Sequence, residues 1–179
     1  TRIHPCGGNL ALAQKMIAGE SIKNRNKRSM AISALRSWLF NEYISQRLQH
    51  KLWNKCLDGD VCLLTGSNSF FIAHEGDASL SGRLAENDIN LSAPMWGSGS
   101  LDSMGAARKF EESISSQFPE VCQHLAALGL KQERRMVRVI PENLQWQIDS
   151  NTLTVQFTLP SGCFATSVLR EVFNAYSTE

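Results

Sequence analysis

One stretch decides the fold of this chain: Leu153-Thr-Val-Gln-Phe-Thr-Leu159, which is followed by Pro160-Ser-Gly162. Apolar and polar side chains alternate through the first part, and this period of two residues predicts a strand with one buried face. The proline and the glycine then end the strand. Helical spacing returns at residues 165–175, which predicts a closing helix. The end of the chain therefore combines a sheet-like segment with a helix.

The rest of the chain reads as mostly helical up to about Ile140. Apolar residues recur at helical spacing from Ser29 to about His50, which predicts the longest helix. Residues 21–27 and 92–100 show neither period and are predicted to be loops. A helical part followed by a sheet-like part indicates an α+β fold. The other predicted elements are a helix at 9–17, a hairpin at 61–73, helices at 80–87, 103–117 and 120–128, and strands at 136–140 and 144–148.

Composition argues against a membrane-spanning protein, a disulfide-rich protein and a zinc protein. No apolar run approaches the roughly 18 residues that a membrane-spanning helix needs. The five cysteines include no C-x-x-C pair, which argues against a disulfide framework or a zinc site and favours reduced thiols in the cytoplasm. The closest Cys–His pair, Cys122 and His124, is not expected to bind a metal. The chain starts at Thr1 rather than at a methionine, which suggests a fragment.

Basic residues are segregated from acidic ones, although the formal net charge is only +1. Residues 21–41 contain a first basic cluster and no acid, and a second cluster around Glu133 is interrupted by that residue alone. Segregation of this kind suits a surface that binds a polyanion. The alternative is a solvated helix start covered with basic side chains. The clusters consist of Lys23, Arg25, Lys27, Arg28 and Arg36, and of Lys131, Arg134, Arg135 and Arg138.

Several longer strings are specific enough to compare with known families. The C-terminal one is Phe157-Thr-Leu-Pro-Ser-Gly-Cys-Phe-Ala-Thr-Ser-Val-Leu-Arg-Glu171. Upstream stand Arg25-Asn-Lys-Arg-Ser29, Leu35-Arg-Ser-Trp-Leu-Phe-Asn41, Asp58-Gly-Asp60 and Pro94-Met-Trp-Gly-Ser-Gly99. In this order the strings resemble the motifs of the tRNA pseudouridine synthase D family. The resemblance extends over nearly the whole chain.

The resemblance implies a domain organisation and an activity. Residues 1–139 would be most of an inserted, mostly helical α/β domain. Residues 140–179 would be the C-terminal strands and helix of the pseudouridine synthase catalytic sheet. The family isomerises uridine to pseudouridine in the D arm of tRNA, at position 13. An aspartate carboxylate attacks the nucleoside covalently, so no metal or other cofactor is expected. The implied partner is tRNA, and the full-length protein is expected to be a monomer.

Two departures from the family pattern bear on catalysis. The chain opens Thr1-Arg-Ile-His-Pro-Cys-Gly-Gly-Asn-Leu10, where the family has Q-R-F-G-x-G-G-x-N-L. The family string that carries the nucleophile, G-x-K-D-[KR]-x-A-x-T-x-Q, does not occur here. No catalytic residue is therefore assigned in this chain, and the nucleophilic aspartate is expected upstream of Thr1. The chain alone is expected to be inactive. The alternatives are a non-catalytic RNA-binding module or pseudoenzyme, and a remnant that does not fold alone.

The resemblance and the charge pattern together suggest two sets of site residues. Five basic side chains are predicted to contact RNA, with a salt bridge as the alternative for each. Four residues near the C-terminus are predicted to form part of the active-site wall, with helix capping as the alternative for its two hydroxyl residues. The RNA-binding set is Arg25, Lys27, Arg28, Arg134 and Arg135. The wall set is Phe164, Thr166, Ser167 and Arg170.

Arg36 and the tryptophans have structural interpretations. Arg36 lies between two apolar positions of the longest predicted helix, and we expect it to pair with Asp58 or Asp60. Trp96 lies in a glycine-rich segment, where stacking on a nucleotide is an alternative to packing. The other three tryptophans are predicted to be core residues. They are Trp38, Trp53 and Trp146.

Overall fold

A computed structural model of the protein describes residues 8–67, 69–160 and 162–172. The sequence predictions for the start of the chain, for the tip of the hairpin and for the end of the closing helix extend beyond these ranges. The residues that lie outside the described part are 1–7, Asn68, Ser161 and 173–179.

The chain divides into two units, Thr1–Val137 and Arg138–Glu179, and each is described by itself. The first contains five described helices and a four-stranded sheet, and the second contains a two-stranded sheet and a helix. This mixture confirms the α+β prediction. The assignment of the two parts to an inserted and a catalytic domain stays a prediction. None of the described helices is long and apolar enough to cross a bilayer.

The helices of the first unit follow the predicted order. Pro119 stands at the start of α5, where its missing N–H costs nothing. Helix α2 is the longest and contacts both α1 and the strand Ile89–Met95. The helices are α1 (Gly8–Ile17), α2 (Arg25–Gln49), α3 (Ser79–Ala85), α4 (Gly105–Ser115) and α5 (Pro119–Ala127).

Helix α2 begins a full turn earlier than predicted. The side-chain oxygen of Asn24 accepts a hydrogen bond from the backbone N–H of Lys27 at 3.0 Å, which caps the helix. The loop prediction for residues 25–27 is therefore wrong, because the cap starts the helix before its apolar periodicity begins. As a result, Arg25, Lys27 and Arg28 lie on the first helical turns.

The first sheet is antiparallel, with the strand order β2-β1-β3-β4. The loop prediction for residues 92–95 is wrong, because β3 extends to Met95. All seven residues of β3 are buried, including the polar Asn90 and Ser92. Pro94 and the glycines that follow it had indicated a loop. The predicted strand at 136–140 overlaps the real one at Met136 alone. The strands are β1 (Val61–Leu64), β2 (Phe70–Ile72), β3 (Ile89–Met95) and β4 (Glu133–Met136).

Two apolar clusters stabilise the first unit. The larger one joins α1, α2, α4, α5 and β3, and its centre includes Leu35 and Leu39, which are 1% and 0% exposed. Burial of each such leucine contributes about 2 kcal/mol of transfer free energy. Trp38 packs against this cluster, with its ring 4.9 Å from that of Phe118. In contrast, Trp53 is 48% exposed, so its prediction as a core residue is wrong. The smaller cluster lies between α3 and the sheet.

The second unit consists of β5 (Glu142–Asp149) and β6 (Thr152–Thr158), paired antiparallel, and α6 (Ala165–Val172). The predicted strands and the start of the closing helix are confirmed. Large apolar side chains of this hairpin are exposed, and Trp146 is 69% exposed rather than buried as predicted. A two-stranded sheet is marginal by itself, because it has no second layer to cover its faces.

Candidate nucleic-acid interface

The first turns of α2 carry an unneutralised basic surface. Arg25, Lys27 and Arg28 are exposed, and the first turn of the helix contains no acidic residue. Among the described residues, no ion pair within 4.0 Å involves any of the three. The positive end of the helix dipole adds to their charge. This arrangement attracts anions.

A shallow groove of about 370 Å³ is lined by residues of α2 and β4. Two of its hydroxyl side chains, Ser29 and Ser33, are exposed and one helical turn apart. Sequence reasoning did not single them out, although their spacing of four residues within a basic helix start was a usable signal. The groove also receives Arg36 from α2 and Glu133, Arg134 and Arg135 from β4.

Arg36, which lines this groove, makes structural contacts. Its guanidinium donates to the carbonyl oxygens of Met95 at 2.8 Å, Trp96 at 2.9 Å and Lys131 at 2.5 Å. Its Nη1 also donates to the carboxylate of Glu133 at 3.0 Å. The expected pairing with Asp58 or Asp60 is therefore wrong. The side chain instead donates hydrogen bonds to carbonyl oxygens at the end of β3, and in this way it links α2 to that segment.

Asp60 has a different partner, Arg47 near the end of α2. The two side chains form a bidentate pair at 2.9 and 2.7 Å, and they are 0% and 3% exposed. Burial acts to lower the pKa of Arg47, but the hydrogen bond and charge of Asp60 outweigh it and raise that pKa above its usual value. Arg47 therefore remains charged, and the pair joins the helix to the segment that precedes β1.

Asp58 also has a structural role. Its carboxylate accepts a hydrogen bond from the backbone N–H of Glu75 at 3.0 Å. Between the two aspartates, Gly59 has a φ of 83°, and a Cβ there would lie 2.0 Å from the carbonyl oxygen of Met104. The Asp-Gly-Asp string is thus a packing motif.

The second basic cluster places neighbouring arginines in different environments. Arg134 donates to both carboxylate oxygens of Glu111, at 2.8 and 3.1 Å, and its side chain is 5% exposed. It also donates to the hydroxyl and carbonyl of Ser92 at 3.0 and 2.9 Å. Arg135 is exposed, and its guanidinium lies 5.4 Å from the centre of the Phe40 ring. Of these two neighbouring arginines, Arg135 is the one that presents its charge to solvent.

Trp96 makes a polar contact through its ring nitrogen. Its indole N–H donates to the carbonyl oxygen of Cys122 at 3.2 Å, and the ring packs against the larger core cluster. The Cys122 thiol contacts the carbonyl oxygen of Ser115 at 3.6 Å, and burial raises its pKa to about 12. Burial also lowers the pKa of His124. The part of the chain that the structure describes contains no group of three side chains suited to a metal ion.

The predicted wall residues lie together at the start of α6 in the second unit. Phe164 precedes the helix and is 72% exposed. Thr166 and Ser167 are exposed and occupy the first turn, so the alternative of helix capping is wrong: α6 already begins at Ala165. Arg170 is exposed one turn further along. These side chains present a mixed apolar and polar surface.

Comparisons with known proteins identify the family. The model of the family described as tRNA pseudouridine synthase D (TruD) matches residues 16–172. The chain is 51% identical over 179 residues to the tRNA pseudouridine synthase D of Pseudoalteromonas atlantica, covering 100% of this chain and 51% of the relative. It is 44% identical over 169 residues to that of Aeromonas salmonicida, covering 94% and 48%.

A solved structure supports the same fold. The crystal structure of a putative tRNA pseudouridine synthase D from Methanosarcina mazei superposes with a TM-score of 0.63 at 17% identity, over 92% of this chain and 44% of that chain. The α+β protein described above thus has the fold of a known class of RNA-modifying proteins. More particularly, the chain belongs to the tRNA pseudouridine synthase D family, which confirms the resemblance seen in its sequence. The chain spans about half the length of the curated relatives it matches.

Proposed function

We propose that this chain is the C-terminal half of a tRNA pseudouridine synthase. The observation that carries the proposal is the family match over residues 16–172, combined with a length about half that of the relatives. The enzyme would break the N1–C1′ bond of a uridine in the D arm of tRNA, at position 13, and rejoin the base through C5. The nucleophilic aspartate would belong to an N-terminal half, which this chain does not contain.

The first unit would contact the RNA backbone. Arg25, Lys27 and Arg28 support this role because they are exposed, lie at the positive end of a helix and have no acidic neighbour in the first turn. Arg135 supports it because its charge faces solvent beside the groove. Arginine binds phosphate through two parallel hydrogen bonds. Arg134 is not included in this proposal, since Glu111 already occupies its guanidinium.

The second unit would complete the catalytic domain. Its hairpin exposes Leu144, Trp146 and Ile148, which favours a partner that covers them. In the proposed enzyme the N-terminal half covers this face, and residues 140–179 extend its sheet. Phe164, Thr166, Ser167 and Arg170 would then line the pocket that receives the uridine. Residues 1–139 would form the inserted domain.

The remaining properties follow from the chemistry of the proposed reaction. A carboxylate nucleophile replaces any metal or redox cofactor, so none is required. The uridine must leave the stacked RNA, which costs a few kcal/mol. Contacts between basic side chains and phosphates can offset that cost. We expect a cytoplasmic monomer that acts on tRNA.

The direct test is a tritium-release assay on tRNA labelled at C5 of uridine. The complete product of the reading frame should release tritium, because C5 loses its hydrogen when the glycosidic bond re-forms. The 179-residue chain should release none. Substitution of the aspartate in the upstream G-x-K-D string by asparagine should abolish release without loss of tRNA binding. A complete product that binds tRNA and releases no tritium would instead establish a non-catalytic RNA-binding protein.

A further inference from the structure

Two cysteines of the first unit lie in contact with each other. Cys56 is in the segment between α2 and β1, and Cys62 is the second residue of β1. Their sulfur atoms are 3.9 Å apart. Both are free thiols in the structure. Nothing in the proposed pseudouridine chemistry uses either of them.

The two thiols differ in access to solvent. Cys62 is 0% exposed and pairs across the sheet with Phe71 and Leu91. Cys56 is only partly buried and packs on the edge of the smaller core cluster. A small solute therefore reaches Cys56 first. No third ligand joins them in the described part of the chain, so the pair does not form a metal site.

The surroundings also distinguish the two thiols chemically. The hydrogen bond with Cys62 lowers the pKa of Cys56, and the charge of Arg47 acts in the same direction, against burial and Asp60. The hydrogen bond and burial raise the pKa of Cys62. Of the two thiols, Cys56 is therefore the one that more readily forms the thiolate, which is the nucleophilic form.

We propose that Cys56 and Cys62 form a thiol oxidation site that a hydroperoxide converts into a disulfide. The Cys56 thiolate attacks one peroxide oxygen, the O–O bond breaks, and hydroxide leaves and takes up a proton. The Cys62 sulfur then attacks the sulfur of the Cys56 sulfenic acid. The S–O bond breaks, and the hydroxyl leaves as water with the proton of Cys62. Two thiols lose two electrons in total, and one hydrogen peroxide becomes two waters.

A modest movement of the backbone around Cys56 is enough to bring the two sulfur atoms together. A disulfide requires the two sulfurs to approach to about 2.05 Å. Cys56 can supply this movement because it lies outside regular structure, whereas Cys62 is held in the sheet. The same segment includes the carbonyl of Lys55 and the carboxylate of Asp60, which both bind Arg47. Formation of the disulfide would therefore change the hydrogen bonds of Arg47 that join this segment to α2.

Peptide mapping after peroxide treatment of the folded full chain tests the proposal. Trypsin leaves both cysteines on the peptide 56–83, because no Lys or Arg separates them. A second cleavage before Asp58 or Asp60 separates the two cysteines unless a disulfide joins them. We expect the two fragments to remain linked after treatment with hydrogen peroxide, at a mass lower by two hydrogens, and to separate after reduction. The buried Cys122 is the internal control and should stay a free thiol.

A variant identifies the order of the two steps. In Cys62→Ala the sulfenic acid of Cys56 has no thiol to react with, so dimedone should label Cys56 there but not in the unaltered protein. The proposal is overturned if Cys56 of the unaltered protein stays reduced, or reaches sulfinic acid while Cys62 can still be alkylated. If Cys62→Ala does not fold, the linked fragments of the unaltered protein decide the question alone.

Discussion

Arg134 and Glu111 form a bidentate ion pair in the interior, with N–O distances of 2.8 and 3.1 Å. Their side chains are 5% and 2% exposed. The hydroxyl of Ser103 donates to the same carboxylate at 2.5 Å. The pair therefore connects β4 to α4, and a residue that the sequence suggested for RNA binding serves the packing of the fold.

The first prediction is that Glu111→Ala strongly destabilises the protein. The substitution leaves the guanidinium of Arg134 buried without its carboxylate, which costs about 3–5 kcal/mol of unfolding free energy. Denaturant unfolding of the two proteins measures the difference. Glu112→Ala is the matched control, because Glu112 forms an exposed helical pair with Arg108 and its loss should cost about 0.3–0.5 kcal/mol. Equal effects of the two substitutions would contradict the structural role of the buried pair.

The second prediction concerns the basic start of α2. In the complete protein, replacing Arg25, Lys27 and Arg28 by glutamine should weaken tRNA binding and reduce its salt dependence. Each lost phosphate contact lowers the slope of log K against log salt by about 0.7–0.9. Fluorescence anisotropy between about 50 and 200 mM salt measures this slope.

A matched variant separates local contacts from net charge. Lys15, Arg83 and Arg108 already have acidic partners, so their replacement by glutamine removes the same charge from other places. This control should retain the slope of the unaltered protein. An equal loss in both triple variants would show that the start of α2 makes no specific contact with the RNA.

The third prediction tests the cap of α2. Asn24→Ala removes the acceptor for the Lys27 N–H and should cost about 1 kcal/mol of stability. Asn26→Ala, which lies inside the same helix, should be neutral or slightly stabilising because alanine has the higher helix propensity. Thermal unfolding followed by circular dichroism compares the two. If Asn24→Ala unfolds at the same temperature as the unaltered protein, the first turn of α2 does not depend on this cap.

The fourth prediction isolates a steric constraint at Gly59. Gly59→Ala would bring a Cβ to 2.0 Å from the Met104 carbonyl oxygen, and the backbone there has a φ of 83°. Gly66 has a similar φ of 74° and open space around it, so Gly66→Ala shows the cost of the backbone conformation alone, about 1–2 kcal/mol. We expect Gly59→Ala to cost clearly more in denaturant unfolding. Equal costs would show that Met104 can move away freely.

The elements that sequence reasoning missed do not depend on hydrophobic periodicity. Helix α2 could be predicted from Ser29 onward because its apolar residues recur at helical spacing without interruption. Its first turn was missed because it rests on one capping side chain, Asn24. The end of β3 was predicted to be a loop because Pro94 and the following glycines are loop signals, whereas the sheet contacts that hold residues 92–95 in a strand are not visible in the sequence.

Local sequence patterns also do not indicate which arginines are buried and which acids they pair with. Adjacent residues of a strand face opposite sides, so Arg134 points to the interior while Arg135 faces outward. Recognising this required the true position of β4, which begins at Glu133, three residues before the start of the predicted strand at 136–140. The partners of Arg36 and Arg47 are likewise remote in sequence, and no periodicity indicates which acid each one meets.

The most direct measurement of the central claim is the pseudouridine signal at position 13 of cellular tRNA. Carbodiimide labelling and primer extension would compare a deletion strain of the source organism with strains that carry the complete gene or only these 179 residues. We expect the signal to disappear on deletion, to return with the complete gene and not to return with the 179-residue chain. A signal that persists after deletion, or one that the 179-residue chain restores, would contradict it.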